Sequence, residues 1–369
     1  MICNMKASGD RVFAIIVLTL VVAGLALFSS ASLGLLARAD ASPWKLLLTQ
    51  FTLGLIPGFI ALLAFRLMPQ KRLLALVLPF YIASILLALA VFSPLGLELN
   101  GARRWINIGI TTFQPAEFLK IGVVLMLAAF LAKAGPRIKD LREGLVPFCL
   151  IVGVPAVILL AQPNTSTVLI IGATCASMYF LAGAPWRDFL ILGAVSVAAL
   201  TVLVFMRPYL MARVQTFIDP SAAPQAAGYH IQQSLIAIGS GGLTGRGFGQ
   251  SVQKFNYLPE AQSDSVFAVY GEEFGFVGTL LLVMLFVAFA LRGLMIASSA
   301  SSMFGLLVAT GLTLLITFSA FLNIGALLGI APLTGLPLPF ISHGGTALMA
   351  TLLSVGIILN IAANRKKRA

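Results

Sequence analysis

The sequence predicts an all-α polytopic membrane protein of about ten transmembrane helices, with a large structured external loop between the seventh and eighth. Three observations predict it. Hydrophobic residues make up 59% of the 369 positions and charged residues only 10%, against roughly 25% charged in ordinary globular chains. The mean hydropathy is +1.02, which leaves no room for a separate polar domain. The apolar residues also come in charge-free runs matching a bilayer, which a helix of about 20 residues crosses. So few charges cannot clothe a soluble surface, and disorder, a disulfide scaffold and a soluble nucleotide-binding enzyme are excluded. Cys3, Cys149 and Cys175 are an odd set, two of them inside apolar runs, and point to neither a disulfide framework nor a metal site.

The elements follow in order. The first run, 12–37, is too long for a signal-peptide core and long enough to span. Runs 46–65 and 73–97 give the second and third spans. The fourth, about 116–132, is shorter and carries Glu117 and Lys120 in its first turns. The run 144–186 is split by Gln162-Pro163-Asn164 into the fifth and sixth, and 189–206 is the seventh. Run 274–291 is the eighth, and 293–364 holds the last two, joined by a Pro/Gly-rich connection around 331–345. An even number of spans puts both termini on one side. With the N-terminus inside, internal segments hold fifteen of the 24 Lys and Arg and external segments eight. Short cytoplasmic loops are cation-rich, so both termini are expected in the cytoplasm. The +12 net charge is then mostly a topology signal, and no nucleic-acid partner is implied. The chain 1–369 reads as one integral membrane domain.

Two external segments are longer than a connection needs: 97–115 and the large loop, 207–264. Long loops in compact proteins are functional or disordered, and the aromatics, glycine turns and apolar stretch 234–238 of the second favour order. No repeat of the transporter kind relates the two halves.

Ionisable groups at membrane depth are costly and functional by default. Glu117 and Lys120 lie three apart on one helix face, as an ion pair that locks packing or as substrate contacts. Glu272 and Glu273 stand where the eighth span enters the bilayer, where a helix N-terminus also favours anions. Arg207, Arg213, Arg246 and Lys254 are loop cations, fit for phosphate or simply for solvent. Asp264 sits at the end of the large loop and fits a helix N-cap as well as a base. His343 reads as a hydrogen-bonded loop residue, and His230 has no readable role. The sequence has no phosphate-binding loop for ATP-driven transport and no cluster with metal-ligand spacing.

Three blocks resemble one family. Asn100-Gly101-Ala102-Arg103-Arg104-Trp105-Ile106 with Gln114-Pro115-Ala116-Glu117-Phe118-Leu119-Lys120 is similar to the first external loop signature of the SEDS proteins, the FtsW, RodA and sporulation homologues. Ser251-Val252-Gln253-Lys254, Tyr257-Leu258-Pro259-Glu260-Ala261 and Gly271-Glu272-Glu273 resemble the second. Gly335-Leu336-Pro337-Leu338-Pro339-Phe340-Ile341-Ser342 with Gly344-Gly345 resembles the last. The blocks occur in order over essentially the whole chain, and the Ser-Val-Gln-Lys and Pro-Glu-Ala wording is closer to FtsW. Departures are visible. The family's His-Thr-Asp-Phe is here Gln262-Ser263-Asp264-Ser265; its Gln-Pro-Asp-x-Gly-Thr is Gln162-Pro163-Asn164-Thr165-Ser166-Thr167; its Tyr before Gly-Gly is His343.

The resemblance implies a peptidoglycan glycosyltransferase of the bacterial cytoplasmic membrane that polymerises lipid II on the outer side and releases undecaprenyl diphosphate. It implies Asp264 as the catalytic general base, with Arg104, Arg213, Lys254, Gln233, Glu117, Lys120 and Ser342 binding substrate. The expected partners are lipid II, undecaprenyl diphosphate, a class B penicillin-binding transpeptidase and other divisome or elongasome membrane proteins. The resemblance implies no particular cofactor and leaves room for a divalent cation. A flippase for the same lipid, served by Glu117 and Lys120, and a non-enzymatic division scaffold are the alternatives.

Overall fold

The structure is a computed structural model that describes residues 10–37, 43–99, 101–109, 112–219, 227–255 and 257–365. Asn100 of the first motif and Cys3, Lys6, Arg38 and the basic tail 366–368 fall outside them. Among the described residues nine helices are long and apolar enough to cross a membrane, and the 17-residue apolar helix Thr165–Leu181 stands where the sixth span is expected.

Helix α1 is Arg11–Ser32. A short helix α2, Pro43–Thr49, runs through a wide turn, Gln50–Leu55, into α3, Ile56–Leu67, and α4 is Gln70–Ala90. Then come α5 (Pro115–Ala134), α6 (Val146–Ala161), α7 (Thr165–Leu181) and α8 (Trp186–Met206). The large loop contains α9 (Pro208–Ile218) and α10 (Ala227–Ser240), and the chain closes with α11 (Val266–Ser298), α12 (Met303–Leu327) and α13 (Gly345–Ala363). Pro115 starts α5, at the helical position where a missing N–H costs nothing.

Helices α12 and α13 form the centre, with 72% and 78% of their most apolar windows buried, whereas none of the α8 window is. Helix α12 packs on α5, α7, α11 and α13, and α13 lies along α3. Beyond its first turn, where Asp188 is buried and accepts from the Tyr179 hydroxyl of α7 at 2.8 Å, α8 buries nothing against protein, as expected of a lipid-facing helix, and it contacts mainly α9.

Lone polar side chains fasten the bundle. Asn360 of α13 donates to the carbonyls of Phe65 (2.9 Å) and Arg66 (3.0 Å), satisfying the last turn of α3. Asp10 accepts from the Phe13 N–H at 3.0 Å as the α1 cap, and pairs with Arg292 and Arg365. Burial pushes the Asp10 carboxyl up, but the hydrogen bonds from Arg292, Arg365 and Phe13 outweigh it and leave it at about 2. This contact joins the start of α1 to the chain just after α13.

Two elements differ from expectation. The 97–115 segment folds as a small antiparallel sheet of β1 (Gly96–Leu99), β2 (Ala102–Asn107) and β3 (Thr112–Phe113), pairing Leu97 with Trp105 and Ile106 with Phe113. Helix α11 starts at Val266, where the reading of Asp264 as a cap for a helix from Ser265 puts it and eight residues before the charge-free run, but Gly275, at φ 64° and ψ −162°, breaks it into a short first segment and a long second one. That conformation is open to glycine and strained for other residues. Glu272 and Glu273 are therefore not first-turn anions. They lie inside the first segment, fully buried, and their charges had cut the apolar run that marks the helix.

Candidate functional site

The large loop is anchored by those two buried carboxylates. Glu272 accepts from the Ser251 hydroxyl (2.6 Å) and from the Val252 and Gln253 N–H groups (3.0 and 3.1 Å), and pairs with Arg246 at 3.3 Å. Glu273 accepts from the Lys254 ammonium at 2.8 Å and the Ser30 hydroxyl of α1 at 2.6 Å. Lys254 also donates to the Gly249 carbonyl at 2.8 Å, and its side chain is wholly buried. The structure thus places the Lys254 ammonium against Glu273 and Gly249, outside the lining of the cavity that Asp264 faces. The family-like segments at 251–254 and 271–273 are one structural latch.

The latch holds the turn that carries Asp264. Glu260 has a positive φ of 47°, an unusual conformation for a residue with a side chain. Its carbonyl accepts from the Ser263 and Ser265 N–H groups at 3.0 and 3.3 Å. Asn323, on the central helix α12, donates through one amide nitrogen to the Asp264 carbonyl at 2.9 Å and the Leu336 carbonyl at 2.6 Å. The Ser342 hydroxyl donates to the Ser263 carbonyl and accepts the Leu338 N–H at 2.8 Å. Ser342 thus positions backbone instead of facing a ligand at Asp264. Nor is Asp264 a helix cap: the residue at that place is Ser265, whose side chain makes no capping bond. The Asp264 carboxylate is left free for other work.

That carboxylate lines a cavity of about 280 Å³ together with Arg213, His230, Glu260, Asn323 and Gly335. Gly335 has φ +62°, and a Cβ there would sit 3.4 Å from the Asp264 carboxylate and 4.0 Å from the Arg213 guanidinium. Such a Cβ would make ordinary van der Waals contact with both groups and take up space between them, and the positive φ itself favours glycine. Burial pushes the Asp264 carboxyl up and the charge of Glu260 adds to the rise, while Arg104 and Arg213 pull it back, leaving it at about 6. Arg104 reaches this field from β2, its guanidinium held by the carbonyls of Gln162 (3.2 Å) and Pro163 at the α6–α7 turn. Arg213 extends from α9 with Tyr209 beneath it, 6.0 Å from the ring centre. The site can accept a proton at Asp264 and offer the planar Arg213 cation to an anionic group, with the charge of Arg104 nearby.

Other expected residues lie elsewhere. Gln233 is half-buried on α10, one turn beyond His230, and does not line this cavity. Glu117 and Lys120 form the ion pair their spacing suggests, 2.9 Å apart and both buried, beside a separate void of about 30 Å³ that Ser342 also lines. That is room for a water or two, not for a ligand. Removing one partner of such a pair leaves a bare buried charge, at a cost of about 3–5 kcal/mol. Glu117→Ala and Lys120→Ala should each lower the yield and melting temperature of the purified protein sharply; wild-type stability in both would mean the pair holds nothing together.

His230 and Asn323 escaped the sequence reading. Asn323 gave a signal, a lone amide in an otherwise apolar run, which marks a costly and purposeful residue; His230, in a loop helix, gave none. Among the described residues no group of three or more His, Cys, Asp or Glu could hold a metal ion.

Comparison with known proteins follows the same outline. Residues 10–367 match a family model for FtsW, RodA and SpoVE, described as a cell cycle protein. The probable peptidoglycan glycosyltransferase FtsW of Thiomicrospira cyclica is 37% identical over 356 residues, covering 95% of this chain and 91% of that protein. The peptidoglycan glycosyltransferase MrdB of Escherichia coli K12 is 39% identical over 291 residues, 78% of this chain and 77% of that one. A solved chain from a peptidoglycan synthase complex that coordinates polymerization and crosslinking superposes with a TM-score of 0.79 at 29% identity, covering 98% of this chain and all of that one.

Proposed function

The chain belongs to the FtsW/RodA/SpoVE family, and from that premise we propose that it is a peptidoglycan glycosyltransferase that polymerises lipid II into glycan strands with Asp264 as general base. One observation carries the reading: a carboxylate freed from capping duty shares a cavity with an arginine, its pKa raised to about 6 by burial and Glu260. Strand growth requires an acceptor hydroxyl to attack an anomeric carbon. A carbon–oxygen bond forms there, the bond to the diphosphate breaks, and the bonding electrons leave with undecaprenyl diphosphate. The hydroxyl is a weak nucleophile near neutral pH. A base whose pKa lies just below the working pH is ionised and still strong enough to take its proton. The departing diphosphate needs positive charge rather than a second acid, and Arg213 can meet it with paired N–H donors while Arg104 adds positive charge nearby. At about 280 Å³ the cavity is near the lower end for ligand sites, so it would hold the reacting ends of two substrates while their lipid tails and peptides extend outside.

The alternatives have less support. The void beside Glu117 and Lys120 offers no polar path for a translocated headgroup. The architecture shared with a chain of a synthase complex favours a crosslinking partner alongside polymerase activity; we assign that partner to the class B penicillin-binding transpeptidases. The Ser-Val-Gln-Lys and Pro-Glu-Ala wording leans to FtsW. The deciding experiment gives lipid II to the purified protein in detergent and, in parallel, to the protein in vesicles. Glycan strands support the polymerase, labelled lipid crossing the vesicle wall without strands supports the flippase, and neither supports the scaffold.

The same reading puts the large loop outside the cell and both termini in the cytoplasm, on the strength of the cation distribution. In a variant lacking the native cysteines, Leu243→Cys, in the large loop, and Pro136→Cys, after α5, provide a test, since both positions are exposed. An impermeant thiol reagent on intact cells should label position 243 and not 136. The reverse pattern would invert the topology and remove the base from its substrate.

A further inference from the structure

We infer that His230 is a positioning residue for the reaction: through Ser265 it fixes the turn that aims Asp264. This rests on the reading of Asp264 as the base. His230 belongs to α10, lines the cavity with Asp264 and Glu260, and places its Nε2 2.5 Å from the Ser265 hydroxyl. Ser265 is completely buried, and the same hydroxyl donates to the Pro259 carbonyl at 2.7 Å. These two contacts fix the direction of the chain. A carbonyl can only accept, so the single hydroxyl hydrogen of Ser265 is spent on Pro259, and the bond from His230 must be an Nε2–H donated to the Ser265 oxygen. The imidazole therefore holds its Nε2 proton at the end of a two-bond chain, His230 to Ser265 to Pro259.

The chain clamps the Asp264 turn from one side. Pro259 and Ser265 bracket it, and Asn323 grips the Asp264 carbonyl from the other side. Within the turn, the positive φ of Glu260 is a conformation that persists only where surroundings enforce it. Without the donor on α10, Ser265 loses one partner and the turn loses its tie to that helix. The Ser263 and Ser265 N–H bonds to Glu260 remain, so the turn survives but is free to shift relative to Arg213 and the cavity. A displacement of about 1 Å at a catalytic group costs on the order of 10²-fold in rate. Substrate contacts made by the arginines are untouched.

Four variants of the full-length protein, purified and assayed for lipid II polymerisation, test this. His230→Phe keeps bulk and removes the donor; it should lower kcat by about 10- to 100-fold and leave KM within about two-fold. Ser265→Ala removes the acceptor and should reproduce that loss, and the double variant should be no worse than either single one, since all three break one chain. His230→Gln, which can place an amide N–H near the same point, should recover most of the activity. A role in packing alone would not split kcat from KM or respond to an amide. Wild-type kcat in folded His230→Phe, additive losses in the double variant, or no rescue by Gln would overturn the inference. Failure of the underlying reading looks different: Asp264→Asn would then be active whatever the His230 variants do.

Discussion

Asp264→Asn should leave the protein folded and membrane-inserted while reducing glycan-strand synthesis on the order of 10²–10⁴-fold, the worth of a positioned base. Asparagine keeps the size of the side chain and caps helices as well as aspartate does, so a loss cannot be laid to capping. The stability prediction has a definite sign. The folded-state pKa of about 6 lies above the ordinary value of 3.8, so the folded protein binds the proton more tightly than the unfolded one. The carboxyl therefore adds most to stability at low pH, and that contribution is lost as pH rises through about 6. At pH 7 the folded state carries a charge that burial disfavours, and the neutral Asn variant is expected to melt no lower than wild type. An active Asn variant, or one that is inactive only because it has unfolded, would withdraw the role.

Lys254→Ala should be the most damaging change outside the cavity, and through stability rather than substrate affinity. Lys254 and Glu273 are both fully buried and 2.8 Å apart. Deleting one partner strands the other charge, at about 3–5 kcal/mol, a large share of the roughly 5–15 kcal/mol that keeps an ordinary domain folded. The Ser30 hydroxyl and the Ser251 N–H still reach Glu273, but neutral donors do not neutralise a carboxylate. The double variant Lys254→Met with Glu273→Gln removes both charges and should regain much of the lost melting temperature, measured by size-exclusion fluorescence during heating. If Lys254→Ala instead keeps its stability and raises the KM for lipid II, the ammonium contacts substrate after all.

The membrane architecture was legible because the bilayer imposes a length on every span and forbids charge within it, so charge-free runs mark helices directly. Glu117 and Lys120 were legible for a local reason: three residues of spacing on a helix suffice to bring them together. The partner of Lys254 was not legible because it is set by the fold. Glu273 reaches it only once the loop folds back onto α11, and Ser30 comes from α1 at the far end of the sequence. A cation in an outward loop then looks like a phosphate ligand. Glu272 and Glu273 shortened the apolar run of α11 but not the helix read from Ser265, since a helix that buries its carboxylates against a loop interrupts the apolar pattern without ending. The small sheet at 96–113 was missed because strands of two to six residues leave almost no periodicity to read. The importance of Asp264 came from the resemblance, whereas its freedom from capping, its neighbours and its raised pKa came only from the folded site.

The pH dependence of kcat/KM for lipid II polymerisation tests the central claim most directly. Activity needs Asp264 unprotonated, so the wild-type profile should fall on the acid side through a limb near pH 6. Glu260→Gln removes a charge that holds the proton on Asp264 and should move the limb to lower pH. Arg213→Gln removes one that drives the proton off and should move it to higher pH, whatever either change does to the height of the profile. Opposite displacements place the titrating base between Glu260 and Arg213. A limb that stays fixed in both variants, or moves the same way in both, would contradict the account.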